Sequence, residues 1–167
     1  MARLARRQHA VKSPEIKVPR SPAGDVLTSL IIPVIQLEAH FSRAGEAIAA
    51  AGGQTLARWL TLEAVVEAPA SVAQIARRLG LTRRSVQRVA DLLRRDRLTE
   101  YADNPVHKRS KLVRITPVGR TTLRTIQAAQ CMWADRVGDE IGEADLRHAS
   151  SVIDQLTRVL TRHGSHG

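Results

Sequence analysis

Residues 71–97 read SVAQIARRLGLTRRSVQRVADLLRRDR, and this stretch decides the fold. Ser71, with Gln74 three places on, forms a capping box: the serine oxygen accepts an amide hydrogen bond and Gln74 reaches back to the cap. A helix starting there ends at Gly80, and Thr82 is a good N-cap for the next, which runs to about Asp96. Two helices thus meet at Leu79-Gly80-Leu81-Thr82. A helix-turn-helix needs a small residue where the helices approach, a glycine able to take positive φ in the turn, and an apolar residue locking the second helix down. Ala76, Gly80 and Val86 occupy those places, and Ile75, Leu79, Val89 and Leu93 supply the apolar seam.

Outward from this pair the pattern stays helical on both sides, with one interruption. Residues 25–51 read as a helix on Leu27, Leu30, Ile31, Val34, Phe41, Ala44 and Ile48, with Pro33 either kinking it or marking its first turn. Gly52 and Gly53 stop it. Residues 54–67 form a second helix, ended by Pro69. After the pair, residues 98–102 and 111–116 read as two strands around a polar, basic, turn-rich loop. Thr116-Pro117 is an N-cap followed by proline at the first helical position. The long helix it opens carries Val118, Ile126, Ala129, Trp133, Val137 and Ile141, and a last helix over about 143–162 carries Leu146, Ile153, Leu156 and Leu160. The fold class is mainly α with a small β-hairpin: a winged helix-turn-helix between flanking helices. The domain plan has four parts: a basic extended arm (1–24), an N-terminal dimerisation helix (25–53), the winged helix-turn-helix (54–120) and C-terminal dimerisation helices (121–167). The dimer follows from the apolar stripes of the end helices, which one such core cannot cover.

The charge is unevenly placed. The 167 residues carry a net charge of +10, yet residues 71–120 hold thirteen basic and four acidic residues while the segments on either side are mildly acidic. A solvated surface mixes its signs; this asymmetry suits a nucleic-acid face on a scaffold with another task. The second helix of the pair presents Arg84, Gln87 and Arg88 on one face, at i+3 and i+4. Arginine can grip guanine through two acceptors, and glutamine can grip adenine through a donor and an acceptor, so these three are the candidate base readers. Thr82, Arg83 and Ser85 sit at the helix N-terminus, which favours phosphate. His107, Lys108, Arg109 and Lys111 at the hairpin can reach phosphates or enter a minor groove. With 2% aromatics the chain lacks the stacking platforms of a single-strand binder, which leaves double-stranded DNA as the partner.

From about residue 54 to 123 the sequence resembles the winged helix of the multiple-antibiotic-resistance regulator (MarR) family. The resemblance is carried by Leu56-Ala57-Arg58-Trp59, by residues 76–82, by the helix through Leu92-Leu93, and by residues 111–119 ending in Thr116-Pro117-Val118-Gly119. It implies a homodimer whose terminal helices form the dimer lobe, a repressor of transcription, and release from DNA by a small aromatic or anionic effector bound between the lobes. Two places depart from the family pattern. The wing commonly reads aspartate, basic, arginine; here the places are His107, Lys108 and Arg109, so Arg109 carries over without its orienting partner. The family often has glycine after the recognition helix; here Arg97 stands there, so the turn into the wing is expected to differ. In the family, a position such as that of His40 and Arg43 can border the ligand pocket, with Trp59 from the next helix. The competing reading, which the residue types favour, makes Trp59 core and the other two surface or dimer-contact residues.

The remaining chemistry is sparse. Single Cys131 excludes an internal disulfide and lies off the Ile126–Trp133 stripe, so it reads as an inert thiol rather than a redox sensor. No histidine and carboxylate set has metal-ligand spacing, and no nucleophile–base pair or phosphate-cradling loop occurs, so neither metal, cofactor nor catalysis is expected. The longest apolar run, 30–35, is too short for a membrane, and residues 1–7 lack the apolar stretch of a signal peptide, which places the protein in the cytoplasm. The charge serves equally an architectural, weakly specific DNA-binding protein without effector; a third reading, from another class, is a protein-interaction module that has lost DNA binding.

Overall fold

The computed structural model describes residues 19–106 and 109–164. The chain divides into two compact units, one ending at Ala39 and the other starting at His40. In the first, Ser21 caps helix α1 (Pro22–Ser29) by accepting from the Gly24 amide at 3.1 Å, with Pro22 at the first helical position. The arm expected over 1–24 therefore gives way to helix at Pro22, because a serine followed by proline is a start signal in its own right. Residues 1–18 lie outside the described residues. The helix expected over 25–51 is two: α1 ends at Leu30, and α2 (Ile31–Ala50) begins next to it. Pro33 sits in the first turn of α2, where its missing N–H has no helical partner to lose.

The second unit opens with the C-terminal half of α2, which buries Gly45, Ile48 and Ala49. Helix α3 (Leu56–Glu63), capped by Thr55, ends four residues before the expected 67 and buries Trp59, Thr61 and Leu62. Next come β1 (Ala70–Ser71), α4 (Val72–Leu79), α5 (Arg83–Arg95), β2 (Thr99–Ala102) and β3 (Leu112–Ile115). The capping box at Ser71 is complete: its oxygen accepts from the Gln74 amide, and Gln74 accepts from the Ser71 amide at 2.8 Å. Gly80 ends α4 at φ 66°, a left-handed conformation that turns the chain into Thr82 and α5. The sheet has three strands in the order β1-β3-β2, all antiparallel, with Tyr101 opposite Val113 and Ser71 opposite Leu112. The sequence predicts two strands, and the third, β1, carries no signal in it. Two residues show no alternation, and Ser71 serves at once as strand residue and as N-cap.

The core gathers Leu62, Ile75, Val86, Leu93, Val113, Leu123 and Ile126, so the α4–α5 seam, the sheet and the start of α6 (Pro117–Ile141) share one interior. Thr116 caps α6, accepting from the Gly119 amide at 3.0 Å and donating to the Arg97 carbonyl at 2.7 Å. Val118, expected on the apolar stripe, is 58% exposed; Leu123 takes the buried place. Farther along α6, Trp133 meets Phe41 edge to face at 6.1 Å. Helix α7 (Glu143–Gly164) has no buried residue.

Candidate nucleic-acid interface

Helix α5 is held by one face and exposed on the other. Val86, Val89, Ala90 and Leu93 are buried, while Arg83, Arg84, Gln87 and Arg88 are exposed and Ser85 is half-buried. A helix pinned through four buried side chains holds its outer side chains in fixed register, which a bidentate hydrogen bond requires. Arg84, Gln87 and Arg88 line one open depression of about 920 Å³ along α5, together with Asp91, Arg94 and Arg95. Thr82 has a structural use as well, since its oxygen accepts the Ser85 amide at 3.1 Å as the cap of α5.

Gln87 is not free. Its Nε2 donates to Asp91 Oδ2 at 3.1 Å and to the Tyr101 hydroxyl at 2.7 Å, and that hydroxyl donates to Asp91 Oδ1 at 2.8 Å. The Arg94 guanidinium lies over the Tyr101 ring, 5.6 Å from its centroid. Hydrogen bonds from Gln87 and then Tyr101 hold the Asp91 carboxyl below its ordinary pKa. Burial, followed by the bond to Asp91, pushes the Tyr101 phenol above its own. The Gln87–Asp91 half was readable as an i, i+4 pair on one helix. Tyr101 comes from β2 and has no local signal.

Several basic residues of the 71–120 segment bond the chain itself. Arg78 donates to the Ala64 carbonyl, Arg120 to the Val66 carbonyl at 2.9 Å, and Arg114 to Glu100 across the strand pair at 2.9 Å. The first two hold the turn after α3 through its backbone. The hairpin loop turns at Asn104, whose side chain accepts from the Val106 amide at 3.0 Å. Arg109 and Lys111 are exposed there; His107 and Lys108 lie outside the described residues.

The residues proposed to border a ligand separate. Trp59 is 7% exposed inside the core, its Nε1 without a hydrogen-bond partner. His40 and Arg43 are exposed on α2, with Arg43 Nη2 3.0 Å from His40 Nδ1. An open apolar depression of about 850 Å³ between α2 and α6 is lined by Ala44, Ala47, Ile48, Ala129, Met132 and Trp133, and by none of those three. Cys131 is exposed. Among the described residues, no group of three or more His, Cys, Asp or Glu could hold a metal ion, and no helix is long and apolar enough to cross a membrane.

Known proteins share this architecture. Residues 53–110 match the sequence profile of the MarR family. An uncharacterized protein of Mycobacterium tuberculosis, Rv2011c, is 37% identical over 137 residues, 82% of this chain and 94% of that one. A MarR family transcription regulator, SP03579, superposes with a TM-score of 0.75 at 22% identity, covering 87% of this chain and 97% of that one. The Staphylococcus aureus MarR in complex with salicylate and kanamycin superposes with a TM-score of 0.70 at 16% identity, covering 84% and 96%. The matched stretch contains the capped α4–α5 pair, and the chain belongs to the MarR family of transcription regulators.

Proposed function

We propose that the protein is a homodimeric, sequence-specific regulator of transcription, a cytoplasmic repressor that binds double-stranded DNA and leaves it when a small aromatic or anionic ligand binds. In this reading residues 54–120 form the DNA-binding domain and the helices on either side serve pairing. Arg84, Gln87 and Arg88 face base edges in the major groove. Thr82, Arg83 and Ser85 meet phosphate at the helix N-terminus, and His107, Lys108, Arg109 and Lys111 meet the backbone or the minor groove.

The observation that carries the reading is the two-faced α5, buried through Val86, Val89, Ala90 and Leu93 and exposed through three side chains suited to base edges. The salicylate bound by the S. aureus relative supports a small aromatic anion as effector. The apolar depression between α2 and α6 suits such a ring better than the buried Trp59 does.

Selection of sequences from a random duplex pool tests the proposal. A regulator prefers its selected site over random DNA by about a thousandfold or more. A ratio near one would favour an architectural binder, and no retardation of any duplex at low salt would favour a protein-interaction module. Release of the selected duplex by aromatic carboxylates tests the effector.

A further inference from the structure

The Gln87–Asp91–Tyr101 cluster changes what the outer face of α5 can read. A glutamine amide has two N–H donors and one carbonyl acceptor. Here both donors are used inside the protein, on Asp91 Oδ2 at 3.1 Å and on the Tyr101 oxygen at 2.7 Å. The tyrosine's own hydrogen goes to Asp91 Oδ1 at 2.8 Å, which closes a three-membered ring of hydrogen bonds. Two of its bonds run to an ionised carboxylate, and such bonds are stronger than neutral ones. The Arg94 guanidinium over the Tyr101 ring adds a cation that favours the charged form of Asp91. The carbonyl oxygen Oε1 stands outside the ring and is the one group Gln87 has left to offer.

A glutamine that reads adenine does so with both ends of its amide, accepting from N6 and donating to N7. A glutamine reduced to its acceptor can satisfy any base that carries an exocyclic amino group in the major groove, and both adenine N6 and cytosine N4 qualify. We propose that Asp91 and Tyr101 are positioning residues that lock the Gln87 amide, so that Gln87 selects cytosine or adenine at its position in the operator instead of adenine alone. The inference rests on the reading of α5 as the base-reading helix. Tyr101 belongs to β2, so the strand entering the hairpin takes part in specificity without touching DNA.

Sequence selection from a random duplex pool, with the full chain, tests it. The wild-type protein should enrich one position per half-site at which adenine and cytosine appear in comparable proportion, and Gln87→Ala should level that position alone. Asp91→Ala removes both the carboxylate and its hold on the amide. Tyr101→Phe removes one acceptor and keeps the ring beneath Arg94. Each should turn the mixed position toward adenine, by about tenfold, the scale of one bidentate pair. Thermal melts check that the variants fold, and Tyr101→Phe, which changes one oxygen, carries the test if Asp91→Ala does not. Enrichment of adenine alone by the wild-type protein would overturn the inference, as would a profile unchanged in Gln87→Ala or in the two ring variants. Failure of the wild-type protein to enrich any sequence would overturn the DNA reading itself, and the inference with it.

Discussion

Two residues show how sequence and backbone constrain each other. A Cβ built on Gly119 stands 2.1 Å from the Leu98 carbonyl oxygen and 2.9 Å from Ile115 Cγ1. The glycine of the Thr116-Pro117-Val118-Gly119 motif is thus fixed by the closeness of α6 to the start of the hairpin. Backbone cannot yield as a side-chain tip can, so Gly119→Ala should cost about 2–3 kcal/mol, the upper part of the overpacking range, read as a lowered denaturation midpoint. Arg97 shows the opposite case. It takes φ 61°, the left-handed region, one residue past the Asp96 cap of α5. At the place where the sequence lacks a glycine, the backbone takes a conformation that glycine adopts freely, and arginine bears the strain. Its carbonyl is held by the Thr116 hydroxyl and its amide by the Arg94 carbonyl, which keeps it there. Arg97→Gly should stabilise the protein by about 0.5–1 kcal/mol, the left-handed penalty of roughly 1–2 less the extra freedom glycine gains when unfolded. A midpoint unchanged or lower in urea would contradict the strain.

The elements were legible wherever a cap or a turn announced them. Ser71, Gly80, Thr82 and Thr116 carry local chemistry, and each stands where the sequence puts it. What stayed hidden was long-range pairing: β1, the Tyr101 bond to α5, and the arginines that answer the chain's own carbonyls. Arg58 makes a long-range pairing of the same kind, with a side chain. It donates to Asp96 at 2.6 Å, tying α3 to the end of α5, while Gln54 accepts from its Nε at 2.6 Å. The hydrogen bond from Arg58 holds the Asp96 carboxyl below its ordinary pKa. A depressed carboxylate adds stability above the unfolded pKa and loses it as the pH falls through the folded value. Stability should therefore decline below about pH 4. Asp96→Asn should be less stable at neutral pH and lose less on acidification, a difference that melts between pH 7 and pH 3 would reveal. Asp91, shifted the same way, keeps some slope in that variant. The division between helix and hairpin is testable as well. Arg88 projects from a helix with a buried seam, so Arg88→Ala should cost about 1–3 kcal/mol per half-site and relax specificity at particular base pairs. Lys108 falls in the stretch whose sequence is turn-rich and basic, so Lys108→Ala should weaken specific and random DNA alike and lower the salt slope by about one unit per subunit. An altered operator preference in Lys108→Ala, with uniform loss in Arg88→Ala, would reverse the two roles.

At the scale of the molecule, each unit leaves an apolar surface uncovered. In the first, Val26, Ile31, Ile32, Val34 and Ile35 are exposed, and the eight residues of α1 bury none of their side chains. In the second, α7 runs for 22 residues with none buried, and Leu146, Ile153 and Leu160 are exposed. A helix as short as α1 is marginal by its own hydrogen bonds, and a helix such as α7 draws most of its stability from packing its apolar face. Monomeric proteins rarely expose large contiguous apolar patches. The terminal stretches of the sequence both carry this kind of surface, and a second copy of the chain would supply a matching one. The sequence pointed here through apolar stripes on the end helices that one winged-helix core cannot cover, and α7 has no buried residue. The protein should be a dimer by light scattering at micromolar concentration. Ile153→Glu separates this from a monomer with a decorative helix. If Ile153 faces solvent, a glutamate there changes melting by less than about 0.5 kcal/mol, as ordinary surface substitutions do. If it faces the partner chain, the variant becomes monomeric and melts lower. Its affinity for a two-half-site operator also falls by a hundredfold or more, on the order expected when two linked binding events become independent. The α4–α5 seam and the sheet lie apart from Ile153 in sequence and in the core, so the monomer should still retard single half-sites weakly. A wild-type monomer under these conditions, or an Ile153→Glu dimer with unchanged operator affinity, would remove the end helices from the interface.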